Sequence, residues 1–278
     1  MKKTLPAVAL ALLTSSLALP AFAQSADWSG PYIGVHVGGL FSGQEDDENL
    51  VFDRDFDGDF DDTVILNGTT NNAFSPGSCN GSALGATPAA GCRDDNSGAE
   101  VGVRAGYDFQ FGNFVVGAVG EWSGMKAEDS VTSYSTTPAS YTFTRELKSV
   151  AALRARLGYA MGPVLGYVTG GAAYGKIDNS FRTSNGANTF TEQTDEDGAD
   201  GYQAGAGLEY KMTSNLTLVG EYLYTSLEPD DYTIRVGRGT APATNPFVLP
   251  PNTAGTDIQR SNENFDLHAV RVGMNYRF

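Results

Sequence analysis

The chain ends in the stretch Val270-Arg271-Val272-Gly273-Met274-Asn275-Tyr276-Arg277-Phe278, and the polarity of its side chains alternates. The residues at even positions are apolar, and those between them are polar or glycine. Because successive side chains of an extended chain point to opposite faces, this stretch is predicted to be a β-strand with one apolar and one polar face. Either lipid or the core of a soluble protein would have to cover the apolar face.

The composition of the chain favours lipid as the medium that contacts the apolar face of this strand. After Gln24 no apolar run approaches the ~20 residues of a membrane-spanning helix, so any insertion into a membrane must use strands. The chain has 34 Gly, 13 Tyr and 15 Phe, which suits alternating strands with aromatic girdles better than a helical protein. An edge strand of a soluble sandwich is the alternative interpretation of the last stretch.

The same alternation recurs and predicts eight strands in all. The seven upstream strands span residues 33–41, 101–111, 114–123, 147–159, 164–174, 204–211 and 216–225. Short turns such as Gly112-Asn113 and Gly162-Pro163 alternate with four long connections. The long connections are residues 42–98, 124–140, 176–201 and 227–262. Short periplasmic turns and long outside loops are typical of outer-membrane barrels, so both termini are expected on the periplasmic side.

Several short motifs identify a family that the chain resembles. They are Trp28-Ser29-Gly30-Pro31-Tyr32-Ile33-Gly34, Arg156-Leu157-Gly158-Tyr159-Ala160, Thr169-Gly170-Gly171-Ala172-Ala173-Tyr174-Gly175, Gly205-Ala206-Gly207-Leu208-Glu209-Tyr210, Glu221-Tyr222-Leu223-Tyr224 and the last nine residues. With these motifs in this order, the chain resembles the small OmpA-like surface-antigen porins of alphaproteobacteria. The resemblance implies an all-β, eight-stranded antiparallel transmembrane up-and-down β-barrel with long extracellular loops, in the outer membrane of a Gram-negative bacterium. The first outside loop, residues 42–98, is longer and more acidic than the family usually carries.

The end of the chain also resembles a sorting signal. In bacterial outer-membrane β-barrels a C-terminal Phe follows alternating apolar residues. The matching positions here are Val270, Val272, Met274, Tyr276 and Phe278. The resemblance implies that the barrel-assembly machinery binds the last strand.

The first residues have the pattern of a secretory signal peptide. A basic start, Met1-Lys2-Lys3, precedes an apolar run over residues 5–19 and the small-x-small motif Ala21-Phe22-Ala23. This pattern predicts a signal peptide over residues 1–23, with cleavage before Gln24. The mature chain, residues 24–278, is predicted to form one barrel domain.

The chain has two cysteines, Cys79 and Cys92, both in the first outside loop. Exported proteins fold in an oxidising environment, so a disulfide between them is the simplest prediction. A free pair, a bridge between two molecules and a metal site built on two thiolates are the alternatives.

Strand parity predicts which charged side chains point into the barrel. They are Arg104, Asp108, Glu121, Arg154, Arg156, Glu209, Lys211, Glu221, Arg271 and Arg277. The interior of an eight-stranded barrel is just wide enough for side chains to fill it, so these charges are expected to pair with one another. A narrow porin with a charged constriction, which lets small solutes diffuse, is the alternative. His36 also points inward, either as a neutral histidine in a polar lumen or as part of a pH-sensitive gate.

No group of residues predicts catalysis. The histidines are His36 and His268, and His268 has the parity of the lipid-facing side chains. A nucleophile, a base and an orienting acid are needed together. The chain is therefore not expected to be an enzyme, and no catalytic residue is assigned.

The first outside loop carries a partial calcium-binding pattern. Asp53, Asp55, Asp57, Gly58 and Asp61 match positions 1, 3, 5, 6 and 9 of a calcium-binding loop, with Asp59 among them. Position 12 is Val64 instead of a bidentate glutamate, although Asp62 or a distant carboxylate is available to complete the shell. The loop is interpreted either as a Ca²⁺ site or as a solvated acidic segment. The rest of this loop and residues 242–251 are predicted to be mobile and without regular structure.

The net charge of −15 argues against a nucleic-acid partner, because phosphate backbones are bound by clustered Lys and Arg. The expected partners are outer-membrane lipid and lipopolysaccharide. Three functions follow as hypotheses: a structural and surface-interaction role with a mostly filled lumen, a narrow porin, and a loop-based calcium-dependent adhesin.

Overall fold

A computed structural model describes residues 27–42, 48–95, 98–193, 197–262 and 264–278 of the chain. The predicted signal peptide and its cleavage site before Gln24 lie outside these residues. Within the described ranges no helix is long and apolar enough to cross a membrane. The helical elements found there are the short 3-10 turns Pro88–Ala90 and Pro246–Val248.

Eight long strands form the body of the protein. They are β1 (Gly30–Ser42), β2 (Gly98–Phe111), β3 (Phe114–Ser135), β4 (Ala139–Met161), β5 (Val164–Thr183), β6 (Gly198–Lys211), β7 (Leu216–Pro229) and β8 (Phe265–Arg277). Each strand pairs antiparallel with its neighbours in the chain, and β1 also pairs with β8 along Tyr32↔Arg277 to Ser42↔Leu267. The sheet therefore closes into a ring. The predicted eight-stranded antiparallel up-and-down barrel is confirmed.

The turns at one end of the barrel are short, as predicted. Gly112 with Asn113 joins β2 to β3, Gly162 with Pro163 joins β4 to β5, and residues 212–215 join β6 to β7. Gly112 and Gly162 have φ values of 63° and 62°, a backbone region that glycine enters without steric cost. The longer connections lie at the opposite end.

An apolar band surrounds the barrel. In β8, Val270, Val272 and Met274 are 46–57% exposed, whereas Arg271 and Arg277 are buried, so the predicted alternation of the last stretch is confirmed. Aromatic side chains lie along the two rims of the band. Those near the short turns are Tyr107, Phe109, Phe111, Phe114, Tyr159, Tyr210, Tyr276 and Phe278, and those near the long connections are Phe41, Trp122, Tyr174, Tyr202 and Tyr222.

Simple alternation through residues 147–159 predicts that Leu147 shares the lipid-facing side of Leu153 and Leu157, and this prediction is wrong, because Leu147 is fully buried. The pairing of β4 with β5 shifts register between Leu147 and Ser149, and the pairing of β3 with β4 shifts between Gly124 and Ala127. A bulge of this kind inserts an unpaired residue and reverses the side-chain alternation beyond it. Above the bulge the side chains of β4 therefore point to the opposite faces from those that simple parity predicts.

The second predicted outside loop, residues 124–140, is also wrong as a loop. β3 continues to Ser135 and β4 begins at Ala139, so the two strands form a hairpin that extends beyond the apolar band. β5 extends in the same way to Thr183. Serine, threonine and charged side chains occupy the outward face of this extension, and a polar stretch of this kind has the composition of a loop in the sequence.

The remaining outside segments fold into a unit that we name the cap. Four short strands from three connections form its sheet, in the order Thr189–Glu192, Ile234–Gly237, Thr256–Arg260 and Leu50–Asp53. The cap core is a cluster of buried aromatic and aliphatic side chains, in which Phe52 and Phe74 have ring centroids 4.5 Å apart.

The prediction that residues 242–251 and the rest of the first loop lack regular structure is wrong. Phe247 lies in the 3-10 turn Pro246–Val248 and is buried in the cap core. In the first loop, Gly77–Asn80 pairs with β3, and Ser82–Ala83 pairs with Cys92–Arg93. Burial of apolar side chains from several loops supplies the free energy that a single polar loop lacks.

The substitution Val272→Arg tests whether lipid covers the band. It places a charge near the middle of the apolar band and is expected to destabilise the folded protein in lipid vesicles by about 2–4 kcal/mol, measured by urea unfolding. The matched control is Leu84→Arg, since Leu84 is 55% exposed, close to the 57% of Val272, but lies in the first outside loop. Equal, small effects of the two substitutions would show that water and not hydrocarbon covers Val272.

Candidate functional site: the barrel lumen and the cap

A cluster of buried charges lies across the middle of the lumen, and we name it the upper ion cluster. It consists of Arg104, Arg154, Arg271, Glu100, Glu121 and Glu221. Arg271 contacts Glu100 through two nitrogens, with Nη2 2.8 Å from Oε2, and also contacts Glu121. Arg154 donates from Nη2 to Glu121 Oε2 at 2.8 Å. Three arginines face three glutamates, so the formal charges of the cluster cancel.

A lower ion cluster lies nearer the short turns. Arg277 is 2.7 Å from Asp108 and 3.1 Å from Glu209, and Arg156 is 2.9 Å from Glu209. Arg156 also donates to the hydroxyl of Tyr32 at 2.9 Å. Two arginines and two carboxylates again cancel. Buried charges need such partners because an unpaired ion in a region without bulk water is costly.

The lumen set predicted from parity is buried in these two clusters, apart from Lys211. The Lys211 ammonium lies at the periplasmic mouth, 4.8 Å from the centroid of a Trp28 ring. Glu100 is the member that the sequence prediction missed. Its parity is that of the lumen, but it lies before Val101, where the predicted strand began, whereas β2 begins at Gly98.

Apolar side chains close the lumen above and below the charges. An apolar layer between the upper ion cluster and the cap contains Leu40, Ala127, Leu147, Val150, Ala173, Ile177, Ala199, Leu223, Leu227, Phe265, Leu267 and Ala269. At the periplasmic end Trp28 is fully buried and packs with Val115, Ala160, Leu165 and Tyr167. The two layers leave the ion clusters without contact with bulk water.

His36 points into the lumen, as parity predicted, and its partner is Ser123. His36 Nε2 and Ser123 Oγ are 2.9 Å apart, and both side chains are buried. His36 Nδ1 has no hydrogen-bond partner among the described atoms. The ring therefore lacks the orienting acid that a Ser-His-Asp arrangement places on this nitrogen. Because 87 residues separate the pair in the chain, strand parity alone does not reveal the contact.

The acidic first loop brings part of its predicted calcium set together. One carboxylate oxygen each from Asp53, Asp55 and Asp62 lies within 4.8 Å of the others. In the sequence pattern Asp62 was not one of the matched positions, but a residue available to complete the shell. Partial desolvation and repulsion from neighbouring carboxylates raise the pKa of Asp55. The three remaining predicted ligands lie outside this group and are exposed: Asp57, Asp59 and Asp61.

Asp53 already accepts two backbone hydrogen bonds, from the Phe56 N–H at 2.6 Å and the Gly58 N–H at 3.0 Å. These bonds fold the loop into a tight turn, in which Phe56 and Gly58 have φ values of 65° and 94°. The turn holds the Asp53 carboxylate in place beside Asp55.

A third ion cluster fastens the cap to the barrel. Arg260 of the fourth outside connection donates to Glu48 of the first at 2.7 Å, and to Asp129 of β3 at 2.6 Å. Arg145 of β4 lies 3.7 Å from Asp129. These contacts join two loops to two strands.

Two further features fix the first loop. The disulfide Cys79–Cys92 is present, which confirms its prediction. The Asp95 carboxylate accepts from the Ser130 N–H at 2.8 Å, and burial raises the pKa of Asp95 to about 6 in spite of that bond.

A closed eight-stranded barrel with an apolar outer band and paired charges inside defines the class of outer-membrane β-barrel proteins. The chain belongs to the outer membrane protein beta-barrel domain family, whose model matches residues 9–278. The protein is therefore an outer-membrane protein, as its sequence predicted.

Relatives and solved structures of the same class are similar to this chain. The 31 kDa outer-membrane immunogenic protein of Brucella melitensis biotype 1 is 35% identical over 179 residues, which cover 64% of this chain and 65% of that relative, just under two thirds of its length. The 22 kDa outer membrane protein of Rhizobium leguminosarum bv. viciae is 38% identical over 85 residues, covering 31% of this chain and 36% of the relative. The crystal structure of OprG from Pseudomonas aeruginosa aligns with 90% of this chain and 96% of its own, at 12% identity and a TM-score of 0.45.

The substitution Glu121→Gln tests the upper ion cluster. It removes the carboxylate that Arg154 and Arg271 share and leaves three arginines facing the two remaining glutamates, so the free energy of unfolding in lipid vesicles is expected to fall by about 3–5 kcal/mol in a urea titration. The control is Glu128→Gln, which removes a 2.9 Å pair with the mostly exposed Lys126 outside the lumen. The control is expected to cost less than about 1 kcal/mol. A similarly small loss for Glu121→Gln would mean that water, not the arginines, compensates this carboxylate.

Proposed function

We propose that the protein is a non-conducting outer-membrane barrel that anchors a folded cap at the cell surface. The observation that carries this proposal is the sequence of layers along the lumen. The Trp28 layer, the lower ion cluster, the upper ion cluster and the apolar layer follow one another between the periplasmic end and the cap. A hydrated ion or solute would have to break buried ion pairs and then enter an apolar layer, both of which are costly.

The function proposed for the protein, interaction with other molecules at the cell surface, belongs to the cap. Relatives carry the name outer-membrane immunogenic protein, which suits a surface that other molecules can reach. The cap core and the third ion cluster give the outside loops one defined shape, so a partner would meet a preformed surface. Outer-membrane lipid and lipopolysaccharide are the partners proposed for the barrel wall, and the barrel-assembly machinery is proposed for the last strand.

We propose no enzymatic role. The pair of His36 and Ser123 lies between the closing layers, where a substrate has no access, and Nδ1 of His36 accepts or donates no hydrogen bond in the part of the chain that the structure describes. The other histidine, His268, pairs with Tyr222 at 2.7 Å on the outer surface of the barrel.

Single-channel recording in planar lipid bilayers tests the proposal. The purified, refolded protein is expected to give no discrete current steps, because the closing layers exclude ions. Migration in gel electrophoresis before and after heating serves as the control that the inserted protein is folded. Reproducible steps that shrink on Arg154→Gln or Arg156→Gln would instead establish the narrow porin.

Calcium binding in the first outside loop is a second candidate function. The convergence of Asp53, Asp55 and Asp62 favours it, because Ca²⁺ prefers several carboxylate oxygens around one point. Their charges repel one another until a cation neutralises them. An ion at this site would stiffen the loop beside the cap sheet, since Asp53 is the last residue of one of its strands.

Calorimetric titration with Ca²⁺ tests this candidate. The refolded protein is expected to bind with a dissociation constant of roughly 10⁻⁴–10⁻³ M, as extracellular calcium modules do. Asp62→Asn is expected to abolish the heat, whereas Asp59→Asn, which removes an equal charge outside the group, is expected to leave it. The absence of heat at millimolar Ca²⁺, or equal losses in the two variants, would contradict a site at these three residues.

A further inference from the structure

A polar groove lies on the outer side of the strand extensions above the membrane. Its volume is about 620 Å³, within the range of sites for small organic ligands. One wall is the short hairpin of the first loop, in which Ser82–Ala83 pairs with Cys92–Arg93. The floor is the outward face of β4 and β5 with Ser184 just beyond β5, and its exposed or half-buried hydroxyl groups include those of Thr144, Ser180 and Ser184, whereas Ser140 and Thr142 are buried beneath them.

Two arginines line this groove, Arg93 from the hairpin and Arg182 from β5. Both side chains are exposed. Across the described ranges they are the arginines without a hydrogen bond or ion pair inside the protein. Arg54 and Arg238 donate to backbone carbonyls. The others contact carboxylates: Arg104, Arg145, Arg154, Arg156, Arg235, Arg260, Arg271 and Arg277.

The charge of the groove is positive although the protein is strongly acidic. Glu128 and Glu146 also line it, but Glu128 lies 2.9 Å from Lys126 and Glu146 lies 2.7 Å from Lys148. These lysines compensate the two carboxylates. Arg93 and Arg182 are left as uncompensated cations in a chain whose net charge is −15.

The chemistry of these groups identifies a class of ligand. A guanidinium matches a carboxylate with two parallel hydrogen bonds, which a lysine ammonium does not. Serine and threonine hydroxyls both donate and accept, as sugar hydroxyls do. We propose that the groove binds an acidic oligosaccharide, with Arg93 and Arg182 on its carboxylates and the hydroxyl floor on its sugar rings. This inference deepens the proposed surface role and rests on it, because it requires the cap to face the exterior.

The disulfide gives Arg93 its position. Cys92 precedes Arg93, and Cys79 lies in the segment that pairs with β3 through Cys79↔Thr132. The bond therefore joins the hairpin that carries Arg93 to the barrel wall. Arg182 is fixed independently, by pairing with Thr142 across β4 and β5.

Calorimetry with trigalacturonate, a soluble sugar tricarboxylate, tests the inference on the refolded protein in detergent. The wild-type protein is expected to bind trigalacturonate and not the uncharged maltotriose. Arg93→Gln and Arg182→Gln are each expected to weaken binding at least ~10-fold, since each removes charge-assisted hydrogen bonds. Arg238→Gln removes the same charge elsewhere in the cap and is expected to leave the affinity unchanged. The double variant Cys79→Ser/Cys92→Ser is expected to weaken binding, because it frees the hairpin that carries Arg93. Binding is not expected to be abolished, because the position of Arg182 does not depend on the disulfide.

Three outcomes would overturn the inference: no heat with trigalacturonate, equal affinity for maltotriose, or an equal loss in Arg238→Gln. None of these outcomes affects the result of the conductance test. Failure of the groove proposal can therefore be distinguished from failure of the proposal that the barrel does not conduct. Competition by purified lipopolysaccharide identifies the source of the sugar. Displacement of trigalacturonate that requires Arg182 assigns the groove to acidic sugars of the same membrane leaflet, and binding without displacement assigns it to a soluble or foreign glycan.

Discussion

Hydrocarbon cannot hydrogen-bond to a peptide group, and this constraint determines the rest of the structure. Every backbone N–H and C=O inside the membrane must find its partner within the chain, so the sheet has to close. The pairing of β1 with β8 achieves that closure. Closure in turn creates an interior shielded from lipid, and the apolar layers at its two ends shield that interior from bulk water. The arginines of the polar strand faces must then be matched by carboxylates, and the upper and lower ion clusters meet this need with equal numbers of each sign.

The same closure separates the two ends of the molecule. At the periplasmic end the turns are short and Trp28 closes the lumen. At the outer end β3, β4 and β5 extend beyond the membrane and offer pairing edges and apolar surface to the loops. The loops use both, because Gly77–Asn80 adds a strand to β3 and Phe247 enters the cap core. The cap is thus a folded surface at one end of a barrel whose interior is filled with side chains, and the proposed functions lie in the cap for this reason.

The barrel was predictable from sequence because strand periodicity is local, and the alternation from Val270 to Phe278 is enough to define both faces of β8. Parity then placed most lumen charges correctly. Parity did not predict the inward position of Leu147. A bulge moves a side chain to the other face of the sheet, and the local pattern of polar and apolar residues does not reveal where a bulge lies. The cap was not predictable in the same way. Its sheet joins residues 50–53 to 256–260, and such pairings depend on the barrel bringing distant loops together. The pair of His36 and Ser123 depends on registry across three strands.

The two tryptophans give the most direct test of the claim that lipid surrounds the barrel and side chains fill it. Trp122 is 53% exposed on the outer band, whereas Trp28 is fully buried in the lumen. In vesicles of brominated phospholipid, bromine on the acyl chains quenches the fluorescence of indole rings that touch lipid. The Trp28→Phe variant, which retains Trp122, should be strongly quenched, and the Trp122→Phe variant, which retains Trp28, should be nearly unaffected. Strong quenching of Trp28, or none of Trp122, would contradict the structure proposed for the membrane-embedded barrel.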